Sequence, residues 1–446
     1  MGQSAKPPEH LILFARYPEP GKTKTRLHSA FTPEEATDIY RSLLNHTLEL
    51  VRQFSRNRGC RVTLYFTGGN ADKMRSLVGK DIPLMPQVGE SLGDRLVQSI
   101  NAASDAGAER IVVIGTDCFE LSEADLHAAF DSLKKSNLVI GPANDGGYYL
   151  IGMTGPFPAL FESISWGTES VFQETVTRAN EANCKFALLS THNDVDYPEN
   201  LVSIRAVTPI SLQDHFQTSP GRLSVIIPTK NEEAALPATL AAIGAPGERL
   251  EIIVVDGGST DNTSAIAREW GCRVFKSNPG RGRQMNVGAV MATGENLLFL
   301  HADTLLPADY GASINRGLAE GPIAGAFRLK INDRGLGLRI IEWGTNMRSR
   351  FRSLPYGDQG IFMRTEDFFR IGGFKNWPLM EDYEFMQRLK RKGDIAILPE
   401  AVCTSGRRWS RKGIGKTWWL NQRCILMYHL GYDIESIRNA YYTASE

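Results

Sequence analysis

Six short motifs follow one another through the second half of the chain: SVIIPTKNEE (224–233), IIVVDGGSTDNT (252–263), GRGRQMNVGA (280–289), LLFLHADT (297–304), MEDYEF (380–385) and GRRW (406–409). Most set a carboxylate or a guanidinium beside glycine or at the end of an apolar run. Asp256 closes such a run and precedes two glycines, which let the backbone turn tightly and approach a ligand. A carboxylate there accepts from a base N–H or a ribose hydroxyl. Pro228, Thr229, Asn231 and Glu232 belong to the loop after the preceding apolar run and should lie beside it. Asp261 reads instead as a helix N-cap. Arg281 and Arg283 flank Gly282 ahead of a helix. Guanidinium groups and exposed N–H donors there suit a diphosphate, and a solvated basic loop explains them equally. Glu381 and Asp382 open an apolar-periodic helix, as caps or as an acidic pair able to take a proton.

The first half carries its own candidates. Lys22, Lys24 and Arg26 alternate with threonines after the first apolar run, a pattern suited to a diphosphate or triphosphate. The glycine spacing is not that of a Walker A loop. Asp117 ends the run RIVVIGTD and is a metal candidate. Asp145 precedes two glycines, which again allow close approach to a ligand. Asp194 and Asp196 lie in NDVDYPENL, where Asp196 and Glu199 also fit a capping box.

These groups need a frame that brings distant loops together. On both sides of a polar stretch (205–221) an apolar strand (11–15, 223–228) runs into a turn-rich loop and a helix, and a later strand ends at an aspartate, Asp117 or Asp303. Strands alternating with helical periods imply parallel βαβ units, whose ligands sit beyond the carboxyl ends of the strands. Residues 36–54 place Ala36, Ile39, Tyr40, Leu43, Leu44, Leu48, Val51 and Phe54 on one helical face. A second helix is expected from Gln284 to Ala292. The expected organisation is α/β: two related domains, 1–207 and 222–446, with a linker at 208–221.

Composition narrows the function. The 446 residues carry 50 basic and 50 acidic side chains, so no global field draws the chain to nucleic acid. Six cysteines without CxxC pairing indicate neither a disulfide framework nor a zinc knuckle, and a reducing cytosol fits best. The N-terminus lacks the apolar core of a signal peptide, and no apolar run approaches the ~20 residues that span a bilayer. The expectation is a cytoplasmic protein, at most peripheral to a membrane. Contact of that kind would use Arg411, Lys412, Lys416, Trp418 and Trp419, which fit an interfacial helix or one packed on the domain with snorkelling lysines.

The ordered motifs of 222–446 resemble the family-2 glycosyltransferases of GT-A fold. The resemblance implies that the first-strand loop and Asp256 hold the nucleotide of a donor sugar. His301-Ala302-Asp303 stands at that family's DxD motif with histidine in place of the first carboxylate. Asp303 would hold Mg²⁺ or Mn²⁺, with His301 a second ligand or a hydrogen-bonding group. Asp382 would be the base and Glu381 its partner. Asp358 and Gln359 resemble the acceptor-side loop, Arg408 would contact the diphosphate, and Trp409 the sugar. Residues 10–205 resemble an uncharacterised GT-A-like transferase family of the DUF2064 type, related to nucleotidyltransferases of cofactor biosynthesis. There Asp117 and Asp196 would be metal contacts. The pair of domains is similar to fusions associated with radical-SAM enzymes and arsenosugar biosynthesis. The resemblance implies a bifunctional transferase with two tandem GT-A-like, Rossmann-like nucleotide-diphospho-sugar transferase domains. Its partners would be a nucleotide-sugar, or a nucleoside triphosphate at the first half, and a small-molecule or lipid-linked acceptor. The first half would transfer a second sugar, make a sugar nucleotide, or serve as a silent nucleotide-binding module.

Overall fold

A computed structural model describes residues 8–205, 216–333, 335–407, 409 and 413–443. The apolar run at 11–15 lies inside β1 (Glu9–Arg16). Thr32 and Glu35 then form a capping box that starts α1 (Pro33–Arg58). This box satisfies two of the backbone donors that a helix start leaves open. All eight residues of the period read over 36–54 are buried in α1. The chain continues through β2 (Arg61–Thr67), α2 (Ala71–Val78), β3 (Leu84–Pro86), α3 (Leu92–Asp105), β4 (Arg110–Ile114), α4 (Glu123–Ser132), β5 (Leu138–Pro142), β6 (Tyr148–Met153), α5 (Val171–Glu181) and β7 (Phe186–Leu188).

Contacts divide the chain into Met1–Asn200 and Leu201–Glu446. The division falls ahead of the boundary expected at 207, because α6 (Leu201–Arg205) packs on a helix of the second unit. Most of the expected linker lies outside the described residues, and Ser219–Gly221 already belong to a strand. The second unit runs β8 (Ser219–Thr229), α7 (Leu236–Ile243), β9 (Leu250–Asp256), α8 (Thr263–Glu269), β10 (Arg273–Lys276), α9 (Arg281–Met291), β11 (Gly294–Phe299), β12 (Thr304–Leu305), α10 (Tyr310–Ala319), β13 (Ala324–Asn332), α11 (Leu336–Arg352), β14 (Ile361–Arg364), α12 (Thr365–Ile371), α13 (Glu381–Lys390), β15 (Ile395–Ser405), α14 (Ile414–His429) and α15 (Ile434–Thr443).

The sheets share one plan. The first has the order β3-β2-β1-β4-β6-β5-β7, and the second β10-β9-β8-β11-β14-β13-β15 with β12 added at the edge. In each, the leading strands are parallel and the fifth strand across is reversed, β6 against β4 and β14 against β11; the edge strand β12 is antiparallel to β15 as well. The expectation of purely parallel units is corrected there. In the first unit the reason is length. Only residues 143–147 join β5 to β6, too few for a parallel crossover of about a dozen residues. Val225, Ile226 and Ile227 of β8 are fully buried, as strands covered on both faces require.

One buried carboxylate ties the beginnings of three strands. Glu251 of β9 is 2% exposed. Its Oε1 accepts from Ser224 Oγ, from the Thr293 N–H and hydroxyl, and from the Gly294 N–H. Arg273 Nη1 lies 2.8 Å from Oε2. Burial would raise the Glu251 pKa, but these donors outweigh it and hold the value below the usual range. At Gly294 a Cβ would lie 2.4 Å from Ser224 Oγ, so no larger residue fits without displacing the network. We expect Glu251→Ala to cost about 3 kcal/mol, because it strands buried donors, and Arg273→Ala about 1 kcal/mol or less from its exposed side. Urea denaturation checks both.

Candidate functional site

A cleft of about 1480 Å³ opens beyond the carboxyl ends of β8 and β11, where α/β sheets place ligands. Pro228 and Thr229 reach it from the end of β8 and Glu232 from the loop that follows, His301 and Asp303 from the turn after β11, and Arg281 from the first turn of α9. Glu381 and Asp382 enter at the start of α13, Asp358 from the loop before β14, and Trp409 from beyond β15. Six separate segments thus meet at one place.

Electrostatics organise the cleft. Arg407 Nη2 lies 2.8 Å from Glu232 Oε2 and 3.1 Å from Asp303 Oδ2. Arg281 Nη1 lies 3.5 Å from Glu381 Oε1. Burial pushes the Glu381 carboxyl above its ordinary value; Arg281 pulls it back and Asp382 adds to the rise. Asp382 Oδ2 accepts the Gly357 N–H at 2.8 Å. A Cβ on Gly357 would come within 3.1 Å of that oxygen and 3.2 Å of His301 Nε2. Gly357 is therefore the point where the candidate base and the histidine converge.

Other expected residues serve the frame. Asp256 is 4% exposed; its Oδ1 takes the Ser259 N–H and hydroxyl, and its Oδ2 takes the Ser264 hydroxyl. Asn231, at φ 56°, accepts the Thr260 N–H at 2.8 Å. Asn231 clamps the loop after β9 to the loop after β8, Asp256 ties the loop after β9 to α8, and neither lines the cleft. Asp261 accepts from Thr263 and also from the Glu233 N–H. Arg281 and Arg283 lie within α9 itself, which starts earlier than the expected Gln284, and Arg283 Nε donates to Asn376. The acceptor contact expected of Gln359 is corrected: its side chain is fully buried, accepts from Ser349 Oγ and donates to the Phe327 carbonyl. Arg408 lies outside the described residues. Sequence reasoning missed Lys230 and Gln284, which also line the cleft, and Arg407, which bridges two of its carboxylates. It also missed α11, which forms a wall, although the apolar period of 336–352 was there to be read.

In the first unit a cleft of about 520 Å³ lies at the carboxyl ends of β1 and β4. Lys24, at φ 49°, buries its ammonium 2.9 Å from both Asp117 Oδ1 and Asp196 Oδ1. Arg26 Nη1 lies 2.6 Å from Asp196 Oδ2, and Lys22 pairs with Glu19 at 3.1 Å. The cations expected to meet phosphates are thus each committed to a carboxylate. Burial and the nearby Asp117 and Asp145 carboxylates push the Asp194 pKa up to about 7. Asp145 itself is exposed, accepts the Gly147 N–H and does not line the cleft. The turn at Asp196 is capped by Asn200, whose Oδ1 accepts from the Asp196 and Tyr197 N–H groups, rather than by Glu199.

Among the described residues no group of three or more His, Cys, Asp or Glu could hold a metal by itself. Asp303 is a single carboxylate on the cleft wall with His301 two positions away, a donor set that suits an ion whose remaining ligands come from substrate phosphates. Asp117 and Asp196 already hold the Lys24 ammonium, so a divalent ion fits there only after Lys24 moves.

Residues 224–372 match the profile of glycosyl transferase family 2, and residues 47–168 that of DUF2064, an uncharacterized protein conserved in bacteria. An uncharacterized glycosyltransferase of Mycobacterium tuberculosis is 36% identical over 147 residues, covering 30% of this chain and 63% of that protein. A dolichyl-phosphate beta-glucosyltransferase of Drosophila melanogaster is 34% identical over 134 residues, covering 26% of this chain and 40% of that protein. A provisionally named nucleotide-diphospho-sugar transferase from Desulfovibrio desulfuricans G20, known from a crystal structure, is 30% identical with a TM-score of 0.43 and covers 46% of this chain and 90% of that one. The chain spans only 24% to 63% of the length of the first curated relatives it matches.

The two cation bridges predict different costs. Lys24→Met should destabilise by about 2 kcal/mol, since it leaves Asp117 beside Asp194 without its counter-charge and Asp196 with Arg26 alone. Arg407→Ala should cost about 0.5 kcal/mol or less, because that pair is half-exposed. Thermal unfolding of both variants is the check.

Proposed function

We propose that this chain, a DUF2064 domain joined to a family-2 glycosyltransferase domain, moves a sugar from a nucleotide-sugar to an acceptor oxygen in its C-terminal cleft. The observation that carries this reading is Asp382, held by the Gly357 N–H at 2.8 Å in the cleft that also receives Asp303 and the loop after β8. Both carboxylate oxygens of Asp382 accept main-chain N–H groups, Oδ2 from Gly357 and Oδ1 from Tyr383, which fixes the carboxylate and leaves a lone pair on each oxygen for the acceptor proton. In the reaction the acceptor O–H proton goes to Asp382, and the acceptor oxygen bonds to the anomeric carbon. The bond from that carbon to the diphosphate breaks, and its electron pair leaves with the nucleoside diphosphate. One base and no covalent nucleophile mean a single displacement with inversion. Pro228, Thr229 and Glu232 face the nucleotide, with Asn231 holding their segment to the loop after β9 and Asp256 bracing that second loop. Arg281, half-exposed beside Glu381, faces the charge on the diphosphate. Mg²⁺ or Mn²⁺, held by Asp303 with His301 beside it, would neutralise charge on the departing group.

The N-terminal half is read as a second nucleotide-binding domain. The pairing of Lys22, Lys24 and Arg26 with carboxylates speaks against a preformed triphosphate cradle. Transfer of a second sugar, formation of a sugar nucleotide after Lys24 is displaced, and a silent scaffold are the readings to be separated.

Calorimetric titration of the full chain with nucleotide-sugars and nucleoside triphosphates, with Mg²⁺ or Mn²⁺, tests both halves. Asp382→Asn should keep donor affinity and slow release of nucleoside diphosphate by about 10²–10⁴-fold. Unchanged release would remove Asp382 from the role of base. Asp303→Asn should weaken metal-dependent donor binding. A second binding event lost in Asp117→Asn would give the N-terminal half a ligand, and its absence would make that half a scaffold.

A further inference from the structure

Helix α11 carries apolar side chains on two sides: Leu338 is buried in the core with Ile341 packed against it, and a second set faces outward. Three of its polar side chains face the protein: Asn346 accepts from the Leu329 N–H and donates to the Leu329 carbonyl, Glu342 accepts from the Ile331 N–H, and Arg339 donates to the Ile331 carbonyl. These bonds satisfy β13 where β14 does not pair with it beyond Gly325. The outward face is apolar, with Leu336 84%, Ile340 68%, Trp343 66% and Phe351 72% exposed. Trp418 and Trp419 of α14 are half-exposed as well. Ile340, Trp343, Phe351 and Trp418 line the same cleft that receives Asp382, so the apolar surface continues into the site. Contiguous apolar surface of this kind marks an interaction site.

Charge indicates the partner. On α11, Arg339, Arg348, Arg350 and Arg352 stand against one acidic residue, Glu342, and α14 carries Lys416 and Arg423 with no acidic residue. This local excess occurs in a chain of net charge zero. Arg348 lines the cleft with its guanidinium 3.4 Å from the centre of the Tyr356 ring, and its buried Nη2 has no hydrogen-bond partner among the described residues. Tryptophans and arginines bordering an apolar helix face suit a helix lying in the plane of an anionic membrane surface. No helix among the described residues is long and apolar enough to cross a membrane.

We propose that this face rests on an anionic bilayer and that the sugar acceptor is one of its lipids. Its hydrocarbon lies against α11 and α14, and its anionic head group is drawn to Arg348 at the mouth of the cleft. This rests on the sugar-transfer reading above and names the class of acceptor for that site. The surface also explains why α11 spends its polar residues inward. An apolar outer face is costly in water and favourable in the bilayer interface.

Flotation of the full chain with phosphatidylcholine vesicles, with and without phosphatidylglycerol, is the test, with donor binding measured in parallel. The expected result is binding to the anionic vesicles, weakened about tenfold or more in the double variant Leu336→Glu/Trp419→Glu, whose two positions lie on the exposed face outside the cleft lining, and reduced by salt, with donor affinity unchanged. Acceptor lipid in the vesicles should also raise the release of nucleoside diphosphate, and Arg348→Ala should lower that rise. Absence of vesicle binding, or binding that the double variant leaves intact, would overturn the proposal. So would a concentration-dependent dimer that the double variant dissolves, since a second copy would then cover the face. A total extract of anionic bacterial lipids that binds the chain without raising release would overturn the lipid acceptor. Vesicle binding without donor binding would uphold the surface and remove the sugar-transfer reading instead.

Discussion

Five carboxylates, Glu232, Asp303, Asp358, Glu381 and Asp382, face one cleft, and their mutual repulsion is the constraint that the C-terminal domain is built around. A site that crowded would not bind a diphosphate unless some of the charge were offset. Arg407 bridges Glu232 and Asp303, Arg281 sits against Glu381, and the Gly357 N–H holds one oxygen of Asp382. Glu381 gives way as well, its pKa raised by burial. The arrangement is held in tension rather than neutralised, which suits a site that must accept an anionic donor and release an anionic product.

The N-terminal domain repeats the strand plan and solves the same problem with other residues. In each unit the aspartate after the fourth strand is bridged to a second carboxylate by one cation. Lys24 joins Asp117 to Asp196, and Arg407 joins Asp303 to Glu232. The contributors are exchanged. In the first unit the cation comes from the loop after the first strand and the second carboxylate from late in the domain, and in the second unit the reverse holds. The consequence differs too. The Lys24 ammonium is buried and resists displacement, whereas Arg407 is half-exposed. Shared topology therefore does not carry shared chemistry.

Helix α11 links frame to function in the C-terminal domain. Its inward amides complete the hydrogen bonding of β13, so the helix cannot rotate its apolar residues inward without stranding backbone groups. The same residues that stabilise the strand thus oblige Leu336, Ile340, Trp343 and Phe351 to face out.

Much of this was legible in sequence because periodicity and strand ends are local signals. The α1 face, the strand-end positions of Asp117 and Asp303, and the entry of Glu381 and Asp382 at a helix start follow from spacing alone. The sequence also set the carboxylate-rich character of the loops and the two-domain plan. What it did not determine was the partner of each charge. Lys24 read as a phosphate ligand and proved to be the counter-ion of two aspartates, Gln359 read as an acceptor contact and proved to be a buried brace, and Arg407 drew no attention beside Arg408. Those pairings join residues far apart in the chain, and only the closing of the sheets decides which oppositely charged groups meet. The reversed strands and the outward face of α11 were set in the same way, by backbone groups elsewhere that had to find partners.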